Sequence, residues 1–357
     1  MDYFSGWCKS ERRLDGYTAI VTGSNSGMGL EIAHDLYKRG KCYYFGIHVS
    51  TSYNEIMLVS TKIKGARVIM ACRNMERAEA ARAELQTRCA GQAGAGELLP
   101  EQLDLCSARS VRQFARRVTS RGERARLLVC NAGVMMCPQS RSEDGFETHI
   151  AANHLGHALL SLLLLPTLIQ NAPSRVVFVS SRLNEFFKLD LDDINLEKTR
   201  YSPLQAYVNS KIANILFAKA LDIKLKEHNI QGVNTYSLHP GIVKTDIGRY
   251  FPQTAWRIIT YGFQNILLRW CWKSPRCGAQ TSIYCAVDEK CENESGFYYS
   301  DCAKTRPSKQ CRSEEEARKL WDITIDMLKL QDYDPFTSDT SFALQDIKEE
   351  NESDKAL

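Results

Sequence analysis

Short apolar runs alternate with longer segments of helical periodicity along most of the chain. The first run, residues 17–21, is β-prone, and the spacing of Ile32, Ala33 and Leu36 after it is typical of a helix. Later strands are predicted at residues 66–72, 99–105, 127–130, 175–179 and 232–238, with helices between them. This alternation predicts an α/β fold, a doubly wound parallel sheet of the Rossmann-like type in a single domain.

The same pattern predicts where the domain begins and ends. Residues 16–330 carry the alternation, residues 1–15 form an N-terminal extension, and the acidic, polar residues 331–357 are expected to be disordered. Residues 250–275 are aromatic and aliphatic with few charges. We interpret them as a C-terminal substrate lid or as a membrane-surface helix, and residues 251–272 are then a candidate for peripheral membrane contact.

Charge and composition narrow the class of protein. The 357 residues are 44% hydrophobic and 25% charged, which is ordinary for a globular protein. The net charge of +4 is too small to indicate nucleic acid binding, and the basic run at residues 109–126 is interpreted as a solvated helix face. No run approaches the ~20 apolar residues of a membrane span, and no signal-peptide core follows Met1. We therefore expect a location in the cytoplasm or on the cytosolic face of the endoplasmic reticulum.

The cysteines and histidines predict no metal centre. The 13 cysteines include no CxxC pair, so their spacing predicts neither a metal site nor a disulfide framework, and a reducing compartment is the simpler interpretation. His154 and His157 lie three residues apart near the start of a predicted helix, but nothing nearby completes a set of ligands. We interpret both histidines as structural or capping residues.

A glycine-rich turn follows the first strand and leads into the first helix. Residues 22–29 read T-G-S-N-S-G-M-G, so the glycines have the spacing G-x-x-x-G-x-G. Glycines let the backbone approach a pyrophosphate closely, and a helix N-terminus favours anions. Strand, turn and helix in this order predict the first unit of a dinucleotide-binding fold.

The ends of the next two strands refine that prediction. Arg73 and Asn74 close the second strand, where an arginine suits the 2'-phosphate of NADP and an acidic residue would suit the 2'-hydroxyl of NAD. Asp104 ends the third strand and is placed to reach the adenine. The sequence therefore predicts NADP as the cofactor.

Residues 41–65 interrupt the alternation between the first helix and the second strand. Such loops usually run about 2 to 6 residues, and removal of this segment would join Gly40 to Ala66 as a normal helix stop and strand start. Gly40, Lys41 and Cys42 can be encoded by GGT-AAG-TGT, which contains the splice donor GTAAGT. We hypothesise that the segment is a retained intron or a gene-model artefact. The alternative is a genuine insertion at the N-terminal edge of the sheet, opposite the cofactor.

Tyr207 and Lys211 lie four residues apart on a segment of helical periodicity, so they share one helix face. A free phenol titrates near pH ~10, and a fixed positive charge beside it favours the phenolate. We therefore expect Lys211 to lower the pKa of Tyr207 and to make it a useful acid or base. Taken alone, this spacing also fits an amphipathic helix with an exposed lysine.

The motifs taken together resemble the short-chain dehydrogenase/reductase family over roughly residues 16–330. They are the turn at residues 22–29, Asn131-Ala132-Gly133, Asn153, Ser181, Tyr207, Lys211 and Pro240-Gly241. Longer strings at residues 131–138, 144–147, 153–157, 278–282 and 320–322 look like the NADP-preferring retinol dehydrogenases. Cys130 stands where a second asparagine is usual in the family, and residues 41–65 have no expected counterpart.

The resemblance implies a role for each catalytic candidate. Tyr207 would protonate a carbonyl oxygen, or act as the base in the reverse direction, and Lys211 would lower its pKa and bond the ribose hydroxyls. Ser181 would hold the carbonyl oxygen, and Asn153 would support a water that relays protons towards Lys211. No metal is needed. The expected cofactor contacts are Gly23, Ser24, Asn25, Ser26, Gly27, Met28, Gly29, Arg73, Asn74, Asp104, Leu105, Asn131, Ala132, Gly133, Tyr207, Lys211, Pro240, Gly241, Val243 and Thr245.

We therefore predict an NADP(H)-dependent oxidoreductase that interconverts a lipophilic alcohol and its carbonyl, with retinol and retinal as the expected pair. A reductase acting on a steroid or another lipid carbonyl is an alternative, because the lid region selects the substrate. A non-catalytic binding or scaffold protein with the same fold is a second alternative. The expected partner is a lipophilic small molecule, and the sequence leaves the oligomeric state open.

Overall fold

The computed structural model describes residues 2, 5–40, 43–50, 56–63, 66–90, 96–244 and 272–337. Eight strands form one sheet in the order β12-β11-β8-β7-β6-β1-β4-β5. Their bounds are β1 Thr18–Thr22, β4 Arg67–Cys72, β5 Glu97–Gln102, β6 Ala125–Cys130, β7 Ser174–Val179, β8 Val233–His239, β11 Phe297–Ser300 and β12 Ala303–Thr305. All neighbours are parallel except β11 and β12, and β1 lies at the centre, with Ile20 opposite Ile69 of β4 and Leu128 of β6. The predicted doubly wound parallel sheet is confirmed.

Helices cover both faces of this sheet because successive strand residues point to opposite sides. Ile20 and Ile69 belong to one apolar core, whereas Val21 and Met70 belong to the other. The helices are α1 Gly27–Lys38, α2 Met75–Arg88, α3 Ala108–Ser120, α4 Gly156–Gln170, α5 Pro203–Glu227, α6 Pro275–Gly278, α7 Gln280–Val287, α8 Lys309–Arg312 and α9 Glu314–Met327. A π-helix, Ile150–Leu155, runs directly into α4.

The most apolar helical segment belongs to the core of the domain. Ile150–Gln170 is long and apolar enough to cross a membrane by length and composition, but 94% of its most apolar window is buried inside the protein. Leu160, Leu164 and Leu168, for example, are fully covered. The segment, which contains Pro166, therefore packs as a core helix.

Residues 41–65 contain a β-hairpin. Strand β2, Tyr43–Ser50, pairs antiparallel with β3, Ile56–Ile63, and the two form a separate two-stranded sheet. The hairpin follows α1 in the chain and precedes β4, which begins at Arg67. It is therefore inserted before the amino end of a strand of the large sheet. A retained intron and a genuine insertion both stay predictions for this segment.

Part of the predicted N-terminal extension, residues 1–15, packs onto the domain. Leu14 is 1% exposed and belongs to the core beneath α1. The Arg39 guanidinium at the end of α1 donates to the carbonyls of Ser10 and Arg12, at 2.8 and 3.1 Å. An arginine thus ties this segment down, and a pattern of apolar residues cannot reveal that contact.

The disordered tail predicted for residues 331–357 starts several residues too early in the chain. Tyr333 is 8% exposed, and its hydroxyl donates to the Leu162 carbonyl at 3.2 Å. The Phe336 ring stacks on His228, with ring centroids 4.0 Å apart. These two aromatic side chains hold residues 331–337 against the domain, whereas the rest of the predicted tail lies outside the described residues.

Candidate active site

The glycine-rich turn joins the carboxyl end of β1 to the N-terminus of α1. Gly23 and Gly27 have φ angles of +65° and +55°, which residues with a Cβ rarely adopt. A Cβ on Gly29 would lie 2.2 Å from the Gly23 carbonyl oxygen and 2.6 Å from Asn131 Nδ2. The loop therefore depends on glycine for both its backbone conformation and its close packing.

A cleft of about 490 Å³ opens above this turn. It is lined by thirteen residues that the sequence predicted as cofactor contacts: Gly23, Asn25, Ser26, Gly27, Met28, Gly29, Arg73, Asn74, Asp104, Leu105, Asn131, Ala132 and Gly133. These residues come from the ends of four neighbouring strands, β6, β1, β4 and β5. Parallel strands present their carboxyl ends at one edge of the sheet, which is why distant motifs meet here.

Six further residues line the same cleft and were not predicted: Cys72, Arg77, Leu103, Cys106, Val134 and Ala152. Arg77 could have been found from the sequence, because it lies four residues after Arg73, in the first turn of α2. Asn74 caps that helix, and its Oδ1 accepts from the Arg77 backbone amide at 2.8 Å. The other five residues do not have side chains that indicate a cofactor contact. They line the cleft only because the backbone passes there.

Ser24 does not line the cleft, in contrast to the prediction. Its side chain is completely buried, and its hydroxyl donates to the Val21 carbonyl at 3.1 Å. The hydroxyl thus stabilises the inside of the turn, while the neighbouring residues face the cleft.

The cleft contains the features that a dinucleotide needs. Asn131 Nδ2 donates to the Thr22 carbonyl at 2.9 Å, whereas its Oδ1 is buried and has no donor within the described part of the chain. A buried acceptor of this kind requires a donor, and a ribose hydroxyl is one. The glycine turn leaves the space that a Cβ would fill. The residues present therefore fit a dinucleotide cofactor.

Thr22 joins the glycine turn to the Asn131-Ala132 turn. Its hydroxyl oxygen accepts from the backbone amides of Asn131 and Ala132, both at 2.9 Å, and lies 2.8 Å from His157 Nε2. His157 Nδ1 lies 2.9 Å from the Asn153 carbonyl oxygen. Burial lowers the pKa of His157 to about 3, so its ring is neutral. The structural role predicted for this histidine agrees with its contacts.

Asn153 lies in the π-helix and faces the 132–134 turn. Its Oδ1 accepts from the Val134 amide at 2.8 Å, and its Nδ2 donates to the Val134 carbonyl at 3.0 Å and to Ser210 Oγ at 2.9 Å. The extra residue of a π-turn re-aims the local side chains, and such turns often occur at functional sites. The sequence predicted an ordinary helix here.

Tyr207 and Lys211 lie on α5, which begins after the N-cap Ser202. Both are buried, at 8% and 3% exposure, and Lys211 Nζ lies 5.9 Å from the centre of the Tyr207 ring. Nζ donates to the Val179 carbonyl at 3.1 Å, at the end of β7. A Cβ on Gly133 would lie 3.3 Å from the same Nζ, so the lysine reaches the edge of the cleft.

The pKa of Tyr207 differs from our expectation. Burial raises it to about 12, and a hydrogen bond with the Ser181 side chain partly offsets that rise. Burial also lowers the pKa of Lys211 to about 8. The expected lowering by Lys211 is not seen, because desolvation of the phenol sets the direction of the shift and Ser181 supplies the partial offset. The phenol is protonated at neutral pH, as a proton donor must be.

Pro240, Gly241 and Val243 lie beyond β8, outside the lining of the cleft. Gly241 has a φ of +87°, and its amide donates to His239 Nδ1 at 3.0 Å. Val243 approaches the glycine turn, since a Cβ on Gly278 would lie 2.5 Å from Val243 Cγ2 and 3.1 Å from Met28 Sδ. Thr245 lies outside the described residues.

A short parallel ladder joins the two ends of the predicted lid. Strand β9, Ile242–Val243, pairs with β10, Trp272–Lys273, and the Lys244 amide donates to the Lys273 carbonyl at 3.1 Å. Lys273 Nζ in turn donates to Asp301 at 2.5 Å. Residues 250–271 of the predicted lid lie outside the described part of the chain.

Comparison with known proteins decides the family. The family model described as short chain dehydrogenase matches residues 57–256, and curated relatives align over more of the chain. Mouse retinol dehydrogenase 11 is 40% identical over 91% of this chain and 90% of its own length. The chain belongs to the short-chain dehydrogenase family. Human retinol dehydrogenase 14 is 38% identical over 89% of this chain and 88% of its own length, and human retinol dehydrogenase 12 is 36% identical over 92% of each.

Solved structures show the same fold for this short-chain dehydrogenase. An uncharacterised protein from Mycobacterium paratuberculosis superposes with a TM-score of 0.64 at 26% identity, covering 91% of this chain and 98% of its own. A 3-oxoacyl (acyl-carrier-protein) reductase from Agrobacterium tumefaciens with NADP bound has a TM-score of 0.57 at 20% identity, covering 80% and 93%. The predicted resemblance is confirmed, and the protein is an oxidoreductase that uses a nicotinamide dinucleotide.

Proposed function

We propose that this short-chain dehydrogenase uses NADP(H) to interconvert retinol and retinal, or a lipophilic alcohol and carbonyl of similar shape. The observation that carries the proposal is the meeting of Tyr207, Lys211 and Asn153 at the end of a cleft that fits a dinucleotide. The curated relatives named retinol dehydrogenase, at 35–40% identity, support this substrate class.

Two arginines support the choice of NADP over NAD. Arg73 and Arg77 both line the cleft, and both are exposed at its mouth. Two guanidinium groups at this position favour a phosphate over a hydroxyl, because charge-assisted bonds to phosphate are stronger than neutral ones. An acidic residue that would accept from a 2'-hydroxyl is absent between Cys72 and Met75.

The protein's own groups provide proton transfer and orientation. NADPH, when bound, would supply the hydride. Ser181 would hold the carbonyl oxygen next to the Tyr207 phenol, which donates the proton as the oxygen gains charge. Lys211 lies beside the phenol on the same helix, and burial lowers its pKa to about 8. Asn153 stabilises this arrangement through Ser210, the residue before Lys211.

Exposed apolar side chains beside the site support a lipophilic substrate. Phe186, Leu204 and Ile242 are 72%, 37% and 52% exposed. Each lies within five residues of a candidate site residue, namely Ser181, Tyr207 and Gly241. Large exposed apolar side chains on the segments that carry these site residues favour an apolar ligand over a polar one. Contact of residues 251–272 with a membrane, and a location on the cytosolic face of the endoplasmic reticulum, remain predictions.

Purified protein tests the proposal with all-trans-retinal and either NADPH or NADH. We expect higher kcat/KM with NADPH, and equal turnover with NADH would contradict the arginine argument. Replacement Tyr207→Phe should lower kcat by about 10² to 10⁴, because it removes the proton donor. A panel with steroid and other lipid carbonyls distinguishes the alternative substrates.

The same assay decides whether residues 41–65 belong to the active protein. We expect a form without these residues to bind NADPH and to turn over retinal at least as well as the full chain, because the hairpin pairs with neither β1 nor β4. Cofactor binding without turnover of any carbonyl, by both forms, would favour the non-catalytic alternative. Loss of folding in the shortened form would show that the hairpin is a genuine part of the domain.

A further inference from the structure

Residues 134–137 form a short segment that is held at both ends. At its start, Asn153 bonds both backbone polar groups of Val134, at 2.8 and 3.0 Å. At its end, the Cys137 amide donates to His149 Nε2 at 3.1 Å, and the Tyr201 hydroxyl donates to the Cys137 carbonyl at 2.9 Å. Four side-chain bonds thus fix the backbone on either side of two methionines.

The two methionines between these anchors are apolar and half-buried. Met136 has a φ of +56°, a left-handed conformation that is uncommon for a long side chain. Such backbone strain persists where the surroundings determine it, and it is concentrated at functional sites. Met135 packs against the core cluster that contains Tyr207.

A buried carboxylate organises the far anchor. Glu147 Oε1 lies 2.7 Å from His149 Nδ1 and 3.4 Å from the Tyr201 hydroxyl. Its Oε2 accepts from the backbone amides of His149 and Ile150, at 2.9 and 3.0 Å. Because the carboxylate accepts a hydrogen bond from the Nδ1–H group, Nε2 is left to accept from the Cys137 amide.

These groups lie directly behind the candidate acid. The His149 ring meets the Tyr207 ring edge-on, with centroids 6.4 Å apart. His149 is completely buried, and Glu147 is 4% exposed. Burial, and then the Glu147 charge, raises the pKa of Tyr201, so its hydroxyl remains a donor.

We propose that Glu147, His149 and Tyr201 form a clamp that positions residues 134–137 as a wall of the substrate site beside Tyr207. The clamp rests on the proposed function, and its members act through the segment that they hold. A wall of this kind contacts a long substrate more than a short one. Loosening the clamp should therefore lower kcat/KM for a long aldehyde. It should leave kcat/KM for a short aldehyde and the affinity for the cofactor largely unchanged.

The replacement Tyr201→Phe tests the clamp, because it removes one hydroxyl and keeps the ring. We expect kcat/KM for all-trans-retinal to fall about tenfold, mainly through KM, since the hydrogen bond to the Cys137 carbonyl is lost. The value for butanal should change less than about twofold, and NADPH affinity should not change. Glu147→Gln should have the same effect, because the amide has one acceptor oxygen where the carboxylate has two.

Tyr236→Phe is the matched control. The Tyr236 hydroxyl is buried and, like that of Tyr201, donates to a backbone carbonyl, that of Cys291, at 2.7 Å. Its ring belongs to the core on the other face of the sheet. This replacement should leave the ratio of the two kcat/KM values unchanged. An equal loss on both aldehydes in Tyr201→Phe, or no loss, would overturn the clamp.

Failure of the proposed function gives a different result. In that case the wild type turns over neither aldehyde with either cofactor, and binding decides the question. Titration of the NADP⁺-loaded protein with all-trans-retinal, followed by tryptophan fluorescence, should show about tenfold weaker binding in Tyr201→Phe. Equal affinities, or no binding by the wild type, would overturn the clamp.

Discussion

Replacement of Lys211 by methionine should make the cofactor-free protein more stable at neutral pH, although it should abolish activity. The ammonium is buried, and its pKa falls from 10.5 to about 8 because folding removes water from the charge. At 1.36 kcal/mol for each pH unit, this difference corresponds to a penalty of about 3 kcal/mol. Methionine has a similar length and carries no charge. The Val179 carbonyl keeps a donor in the variant, since Asn214 Nδ2 lies 3.3 Å away.

The sign of the pH dependence follows from which state holds the proton. Below pH 8 both the folded and the unfolded protein hold it, so the wild type carries the whole penalty. Between pH 8 and 10.5 the folded protein releases its proton first, and the free energy of unfolding of the wild type rises. The advantage of Lys211→Met should therefore shrink from about 3 kcal/mol at pH 7 to about 1.5 kcal/mol at pH 9.5.

Urea denaturation at several pH values between 7 and 9.5 measures the gap in free energy of unfolding between Lys211→Met and the wild type. Lys226→Met is the control, because Lys226 lies on the same helix with 69% of its side chain exposed. Its difference from the wild type should not follow the same curve. A gap for Lys211→Met that is independent of pH, or a wild type that is more stable at pH 7, would refute the desolvation argument.

Three further replacements test the loop, the turn and the C-terminal segment. Gly29→Ala should weaken NADPH binding by about 10²-fold or more in a fluorescence titration, because the added Cβ displaces the turn; unchanged affinity would contradict the close packing. Thr22→Val should lower the free energy of unfolding by about 1–3 kcal/mol, since two backbone amides lose their acceptor, whereas Thr22→Ser should restore it. Phe336→Ala should cost about 2 kcal/mol in urea denaturation, because it removes the stack on His228; no change would mean that residues 331–337 do not stabilise the domain.

Sequence patterns predicted the large sheet and most of the cleft, because both follow from local chemistry. A strand followed by a glycine-rich turn and a helix is typical of a dinucleotide-binding unit. The carboxyl ends of parallel strands lie at one edge of the sheet. Gly23, Arg73 and Asn131 could thus be placed at one site although they lie far apart in the sequence.

Features that depend on long-range packing could not be predicted in this way. The pKa of Tyr207 depends on how completely α5 is covered, and periodicity does not give that quantity. Burial of Ser24 depends on which way the turn folds. The docking of Tyr333 depends on a carbonyl of α4 that is distant in sequence. Arg77 is different, since a basic residue in the first turn of the helix after Arg73 is a usable signal in the sequence.

The β9–β10 ladder gives the predicted substrate lid an unusual freedom to diverge. Because Ile242 pairs with Trp272 and Val243 with Lys273, the described ends on either side of residues 245–271 lie next to each other. Whatever lies between can be lengthened, shortened or exchanged while the sheet, the cleft and the Tyr207 helix keep their places. Exchange of residues 245–271 between related dehydrogenases would then transfer substrate preference as a cassette, and selection could change the substrate without rebuilding the catalyst.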